Sequence, residues 1–175
     1  KVYFRFRQRV NTDNMQEIAK ITFNQIQEKQ QNFRIHLEQK VLPFLQLKNR
    51  VEFVQKSRAG NTATGYLAYQ DILFQKIGRP FSLKMRYALF DTDDYETRIY
   101  AYEHNVMGVY SIPSYYNEGM RFYVMLKYKF NSHLSCWVRF AQTYYSDRQV
   151  INPNDLTEIQ RNTKSTILAQ MQFEF

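Results

Sequence analysis

Along most of the chain apolar residues recur at every second position, the period of a strand whose two faces meet different surroundings. Phe122, Val124, Leu126, Tyr128 and Phe130 share one face of such a run, with Tyr123, Met125, Lys127 and Lys129 opposite. Phe81, Leu83, Met85, Tyr87 and Leu89 repeat the pattern against Ser82, Lys84 and Arg86. The closing stretch ILAQMQFEF keeps it to the last residue. Ile167, Ala169, Met171, Phe173 and Phe175 fall on one face, and Thr166, Leu168, Gln170, Gln172 and Glu174 on the other. The period predicts about nine strands. They are Val2–Arg9, Asn32–Val41, Leu45–Val54, Thr64–Phe74, Phe81–Phe90, Thr97–Asn105, Arg121–Phe130, Leu134–Tyr144 and Thr166–Phe175.

Most of these approach the roughly 9–11 residues that cross a bilayer at a tilt, whereas roughly five or six is usual in a small sandwich. A long apolar face backed by a charged one points to an all-β fold, an antiparallel transmembrane β-barrel of the outer-membrane type. Such barrels alternate short periplasmic turns with longer external loops. Asn131-Ser132-His133 is a tight turn, while Val106 to Met120 and Tyr145 to Ser165 are long and rich in Asn, Asp, Pro, Gly and Tyr. A periplasmic carboxy terminus makes the tight turn periplasmic and both long loops external. The same alternation would make Leu42-Pro43-Phe44 a short external turn and residues 11–31 a long periplasmic connection. That connection has helix-forming composition but a poor 3.6 period, so a short helix, a plug-like segment and a place where chain is missing all stay open.

Composition sharpens the choice. A chain of 175 residues fits one domain, 1–175. Its mean hydropathy is negative, and no run approaches the roughly 18 apolar residues of a membrane helix, but a barrel escapes that test because alternate residues face a polar interior. The aromatic share of 17%, from 14 Tyr and 14 Phe, favours strands with interfacial girdles. Lys+Arg 24 against Asp+Glu 16 leaves a net charge of +8, compatible with nucleic acid, anionic lipid or acidic ligands. The single Cys136 excludes an internal disulfide and any multi-thiolate zinc site. Lys1 is not a methionine and no signal peptide follows it, so a mature or partial chain is expected. Single-chain bacterial barrels use even strand numbers, so an odd count means either that strands are merged or missed or that the first strand pairs with chain upstream, and the direct entry of Lys1 into the alternating VYFRFRQR favours the second. Residues 1–175 would then be the carboxy-terminal part of a larger barrel.

With apolar faces toward lipid, Arg50, Lys84, Arg86, Lys127, Lys129 and Arg139, together with Arg5 and Arg7, line a basic lumen. An open lumen would select anions; a packed one would pair these cations with Glu52, Asp71 and Glu174. His36, His104 and His133 stand in no metal-binding spacing, and no nucleophile elbow is present, so no enzyme activity, cofactor or metal is expected. The run FDTDDYE gathers Asp91, Asp93, Asp94 and Glu96 without the glycine of a calcium loop and reads as a solvated turn. The alternative function is a soluble basic β-protein that binds single-stranded nucleic acid through aromatics and Lys/Arg. RFYVMLKYKF has both, but puts most of its aromatics opposite its lysines, so nucleic acid is the less favoured partner.

The stretches MRYALFDTDDYETRIYAYEHNV, YSIPSYYNEGMRFYVMLKYKF and WVRFAQTYYSDR, with the NTKSTILAQMQFEF end, resemble the carboxy-terminal region of a family of Bacteroidota outer-membrane barrel proteins. Many members are assigned an upstream helix-hairpin-helix segment, which this chain lacks. The resemblance implies a location in the bacterial outer membrane, with lipid, lipopolysaccharide, the barrel-insertion machinery and other outer-membrane proteins as partners. It implies no catalytic activity. Phe173 and Phe175 match the aromatic-x-aromatic terminus read as an insertion signal. Function is therefore expected to be non-catalytic: a subunit of a transport or secretion assembly, or a channel for polar or anionic solutes.

Overall fold

Each short turn in the chain is made by residues suited to it, and together they string the strands into a meander. Ala59 and Gly60 both take positive φ, 51° and 84°, the geometry of a two-residue hairpin whose twist matches its strands. The Asn131 side chain accepts from the amides of His133 and Leu134 at 2.9 and 2.8 Å, closing the next-to-last turn. The computed structural model describes residues 1–16 and 23–175. Its strands are β1 (Val2–Gln16), β2 (Phe23–Leu42), β3 (Leu45–Arg58), β4 (Asn61–Gln75), β5 (Phe81–Thr92), β6 (Ile99–Tyr100), β7 (Ser114–Tyr115), β8 (Gly119–Lys129), β9 (Leu134–Tyr145) and β10 (Thr163–Phe173). Eight form one antiparallel sheet in the order β1-β2-β3-β4-β5-β8-β9-β10, and β6 with β7 makes a separate two-stranded ribbon. The large sheet is open: among the described residues β1 and β10 each pair with one neighbour and no ladder joins them.

Three expectations are corrected. Thr97–Asn105 is extended but is not a strand of the large sheet. Asp94 caps a 3-10 turn at Tyr95–Thr97, and the chain then runs as the ribbon, with Ile99 opposite Tyr115 and Glu103 opposite Ser111. Ile99, Ala101 and Glu103 are buried while Tyr100 and Tyr102 are exposed, so the period of two is real but belongs to the ribbon. Residues 11–16 and 23–31, expected in an irregular connection, are strand instead, because β1 and β2 pair from Val2–Leu37 through to Gln16–Phe23. Residues 17–22 of that connection lie outside the described residues. Removing the extra strand also reverses every upstream connection, so the Pro43-Phe44 turn stands at the same end of the sheet as the carboxy terminus. The short connections then cluster there: Pro43-Phe44, Lys76–Pro80 and Asn131–His133. At the other end stand the Ala59-Gly60 turn and the long loops 93–118 and 146–162.

Residues directly opposite in register share a face, and on one face the rows are apolar from strand to strand. Phe4, Ile35, Val51, Ala68, Leu89, Met120 and Tyr144 form one such row across seven strands. Its members stay uncovered, Phe4 at 76% and Val51 at 54% exposure. The opposite face carries the charges and is covered at its centre by loop 93–118, with Ile151 and Ile159 of loop 146–162 packed beside it. Leu67, Phe90, Ile99, Tyr115 and Tyr145 make the core between sheet and ribbon.

Gly65 faces that core where the ribbon comes closest; a Cβ there would lie 2.8 Å from the Thr97 carbonyl oxygen and 2.9 Å from a Thr92 methyl. Gly65→Ala is expected to cost about 1–3 kcal/mol through overpacking. Denaturant midpoints and the rate of proteolytic cleavage within 93–118 measure this, and an unchanged cleavage rate would show that the ribbon does not bear on Gly65.

Candidate functional site

The charged face becomes a site where the ribbon delivers a carboxylate to it. Arg121 of β8 and Arg139 of β9 both point inward, at rows of the sheet that flank the one of Tyr123 and Ala141. Glu103, fully buried, accepts from Arg121 Nε at 2.7 Å and Nη2 at 3.0 Å, and from Arg139 Nη2 at 2.5 Å. The Tyr115 hydroxyl donates to the same carboxylate at 2.8 Å. Arg121 also donates to Thr143 Oγ1, and Arg139 Nε donates to the His104 carbonyl at 3.0 Å. The His104 amide donates in turn to the Tyr123 hydroxyl at 3.2 Å. One acid therefore ties the ribbon to two sheet strands by charge-assisted bonds, among the strongest available to side chains.

Around this centre most inward cations are already engaged. Arg86 grips Asp71 with two bonds of 2.6 and 2.7 Å and lies 3.7 Å over the Tyr69 ring. Arg50 and Arg34 share Glu52, and Arg50 also donates to the Tyr100 carbonyl at 3.4 Å. Lys56 reaches Glu96 of loop 93–118 at 2.8 Å and Glu28 at 3.1 Å. Of the six residues expected to line a basic lumen, Arg50, Arg86 and Arg139 are thus buried in ion pairs. Lys127 lies 4.8 Å over the Trp137 ring, Lys84 stands 3.5 Å from His104 Nδ1, and Lys129 is exposed near the short-turn end. Glu52 and Asp71 pair as expected for a packed interior, whereas Glu174 is bonded by Gln172 instead. Of the aromatic rings that share the basic face, Tyr69, Tyr123 and Trp137 are covered by arginine or lysine, and Tyr3 stacks on His36 with centroids 4.9 Å apart.

Phe173 closes β10 and Phe175 lies beyond it, both exposed on the apolar side; the end is held by the Glu174 amide donating to the His133 carbonyl at 2.9 Å. The carboxylates of FDTDDYE separate to different partners. Asp91 accepts from the Tyr66 hydroxyl, Asp93 from Thr64, Asp94 from Thr97, and Glu96 from Lys56. Among the described residues no group of three or more His, Cys, Asp or Glu is arranged to hold a metal. Glu103, the centre of the interior, is absent from the expected lumen residues. Its one signal in sequence is an acid at an alternate position shared with Ile99 and Ala101. Comparison of the chain with protein-family models, curated proteins and solved structures gives no match. What the interior does is therefore argued from its geometry.

Acid should loosen loop 93–118 in two stages. Burial, and then the positive charges of Lys84, Lys48 and Arg86, push His104 down to about 4. Glu103 is pushed up by burial, but the bonds and charge of Arg121, with Tyr115 and Arg139, outweigh this and hold it below the usual carboxylate range. A histidine with a depressed folded pKa favours the packed loop above its free value near 6.5, and that stabilisation falls as pH drops from there toward 4, because only the released loop takes up the proton. Glu103 contributes its part above the ordinary carboxylate pKa and loses it below, as pH falls through its depressed value. The hydrogen-exchange protection factors of residues 97–116, each rate being divided by the intrinsic amide rate at that pH, are expected to fall from pH 6.5 downward, with His104→Gln flattening the upper stage alone. Glu103→Gln leaves two buried guanidiniums without their counter-charge and should cost about 3–5 kcal/mol at neutral pH. A neutral-pH denaturation midpoint unchanged by Glu103→Gln would remove it as the tie.

Proposed function

We propose that the chain is the membrane-embedded part of a non-catalytic outer-membrane β-barrel protein, a subunit of a transport or secretion assembly whose lumen is filled by its own loop. The observation that carries this reading is the uncovered apolar face. Between the polar rim row Gln8, Gln31, Gln55 and Thr64 and the short-turn end, no charged side chain stands on that face among the described residues other than Asp91 at the rim. A soluble monomer rarely exposes a continuous apolar patch beyond a few hundred Å². In lipid the same face is the favourable one, and two polar pairs on it satisfy each other, Gln70 with Asn49 at 3.0 Å and Gln142 with Ser165 at 2.9 Å; Gln39 also stands on this face.

Aromatic rings mark both borders of the face, as interfacial girdles do. Phe6, Phe33, Phe53 and Tyr66 lie in one row near the long-loop end, with Phe6 and Phe33 centroids 4.9 Å apart. Phe44, Phe74 and Phe81 stack in sequence at 5.5 Å intervals near the short-turn end, where Tyr128 and Phe130 also meet. From Tyr66 to Phe74 the strand covers about 27 Å before any tilt, of the order of the roughly 25 Å apolar band of such barrels. Short turns at one end and long loops at the other support a periplasmic carboxy terminus, with Phe173 and Phe175 as the terminal signal for insertion. The free edges of β1 and β10 need strand partners in lipid, since each unpaired backbone group there costs several kcal/mol. This supports a barrel completed by further strands. The ion-paired ribbon favours the subunit over the open channel.

Fractionation of cells making the full protein tests the reading: it should sediment with outer membranes and leave them only with detergent, in company with stoichiometric partners. Recovery in the soluble fraction would overturn the membrane assignment, and ohmic conductance of the isolated protein in planar bilayers would restore the channel. Deletion of residues 173–175 is expected to lower the inserted amount several-fold; normal insertion would remove Phe173 and Phe175 as the signal.

A further inference from the structure

Three arginines of β1 stay outside the paired interior. Arg5, Arg7 and Arg9 project from β1 onto the charged face at alternate positions, about 7 Å apart along the strand, and none has an ion-pair or hydrogen-bond partner among the described residues. The neighbours that register brings to them on β2 are Arg34, Asn32 and Gln30, a like charge and two neutral amides. Like charges directly opposite destabilise a ladder unless something lies between them. The acids within reach are spent: Glu52 on Arg34 and Arg50, Glu28 on Lys56, and Glu96 on Lys56 and Arg98. Between this ladder and the ribbon lies a cleft of about 420 Å³, with Arg7 and Arg9 on one side and Arg98 and Tyr100 on the other; the ion-paired Glu28, Glu52 and Glu96 also line it. That volume is within the roughly 300–1,000 Å³ of small-molecule sites.

We propose that this cleft binds a soluble oxyanion of the phosphate class with two or more negative charges, held by Arg7 and Arg9 with Arg5 beside them. Guanidinium forks match the paired oxygens of a phosphate, and the amides of Asn32 and Gln30 add neutral donors. A lipid phosphate is the poorer source, because the cleft opens on the face opposite the apolar one. For that same reason the proposal stands independently of what covers the apolar face.

The test is calorimetric titration of the full chain in detergent micelles with inorganic pyrophosphate, at low and high salt. Folding of each variant is checked by its far-ultraviolet circular dichroism and its thermal unfolding midpoint. One saturable site is expected, weakening as salt rises. The double variant Arg7→Gln/Arg9→Gln should bind at least about tenfold more weakly, and Arg7→Lys/Arg9→Lys should fall between, since lysine keeps the charge but loses the fork. Lys164→Gln, on the opposite edge strand, should bind as the unaltered protein does. Absence of a saturable site overturns the proposal, as does equal affinity in the double glutamine variant or an equal loss in Lys164→Gln. Pyrophosphate failing to bind while the double glutamine variant loses a co-purifying protein would instead assign the ladder to an acidic polypeptide, and would also overturn it.

Discussion

Glu103 stands between two arginines that the sheet cannot neutralise by itself. Arg121 and Arg139 project from adjacent strands into the same interior, and the nearest sheet carboxylate, Asp71, is already closed around Arg86. Two buried guanidiniums side by side would be a large uncompensated cost, and the ribbon supplies the charge that removes it. Once Glu103 is seated, the rest of loop 93–118 has little freedom. Its Tyr100 carbonyl meets Arg50, its His104 carbonyl meets Arg139, and its Glu96 meets Lys56. Loop 93–118 is therefore part of the packed structure as fully as the strands are, and its seat on the charged face follows from one carboxylate.

The outward face obeys the opposite constraint, and the two together explain why the strands alternate so strictly. A residue shifted by one position would place an arginine among Phe, Val and Leu, or leave an apolar side chain where an ion pair belongs. Both errors are costly, so register is specified twice on each strand. Where the second constraint lapses, alternation lapses too. The far part of the β1–β2 hairpin, residues 12–16 and 23–27, extends past the end of β3, and its sequence is mostly Asn, Gln and Thr.

That lapse accounts for what the sequence concealed. Period two found eight sheet strands and assigned their faces, because each has an apolar row to be read. It stopped β1 at Arg9 and began β2 at Asn32, because beyond them neither face is apolar and composition resembles a helix. In Thr97–Asn105 the opposite happened: Ile99 and Ala101 alternate with tyrosines as in any sheet strand, and nothing local says that the partner is Ser111–Tyr115 rather than β5. A single added strand then inverted the sidedness of everything upstream. Arg50, Arg86 and Arg139 were legible as inward cations, but their pairing with Glu52, Asp71 and Glu103 depends on register and on a loop folding back, which strand-by-strand reading does not contain.

The two edges of the sheet differ in what the proposed completion of the barrel would ask of a closing strand. On its charged face β10 presents Lys164, Thr166, Leu168, Gln170 and Gln172, with no carboxylate among them. Bringing β10 directly against β1 would join the backbone edges and continue the apolar face from Ile167, Ala169 and Met171 to Phe4 and Phe6. It would not neutralise Arg5, Arg7 or Arg9, and at Lys164 it would add to them. Closing the hydrogen-bond ladder and compensating the arginine ladder are therefore separate requirements. A seam strand can meet the first with any sequence of the right alternation, but the second needs negative charge placed inside, from a ligand or from chain beyond the eight strands.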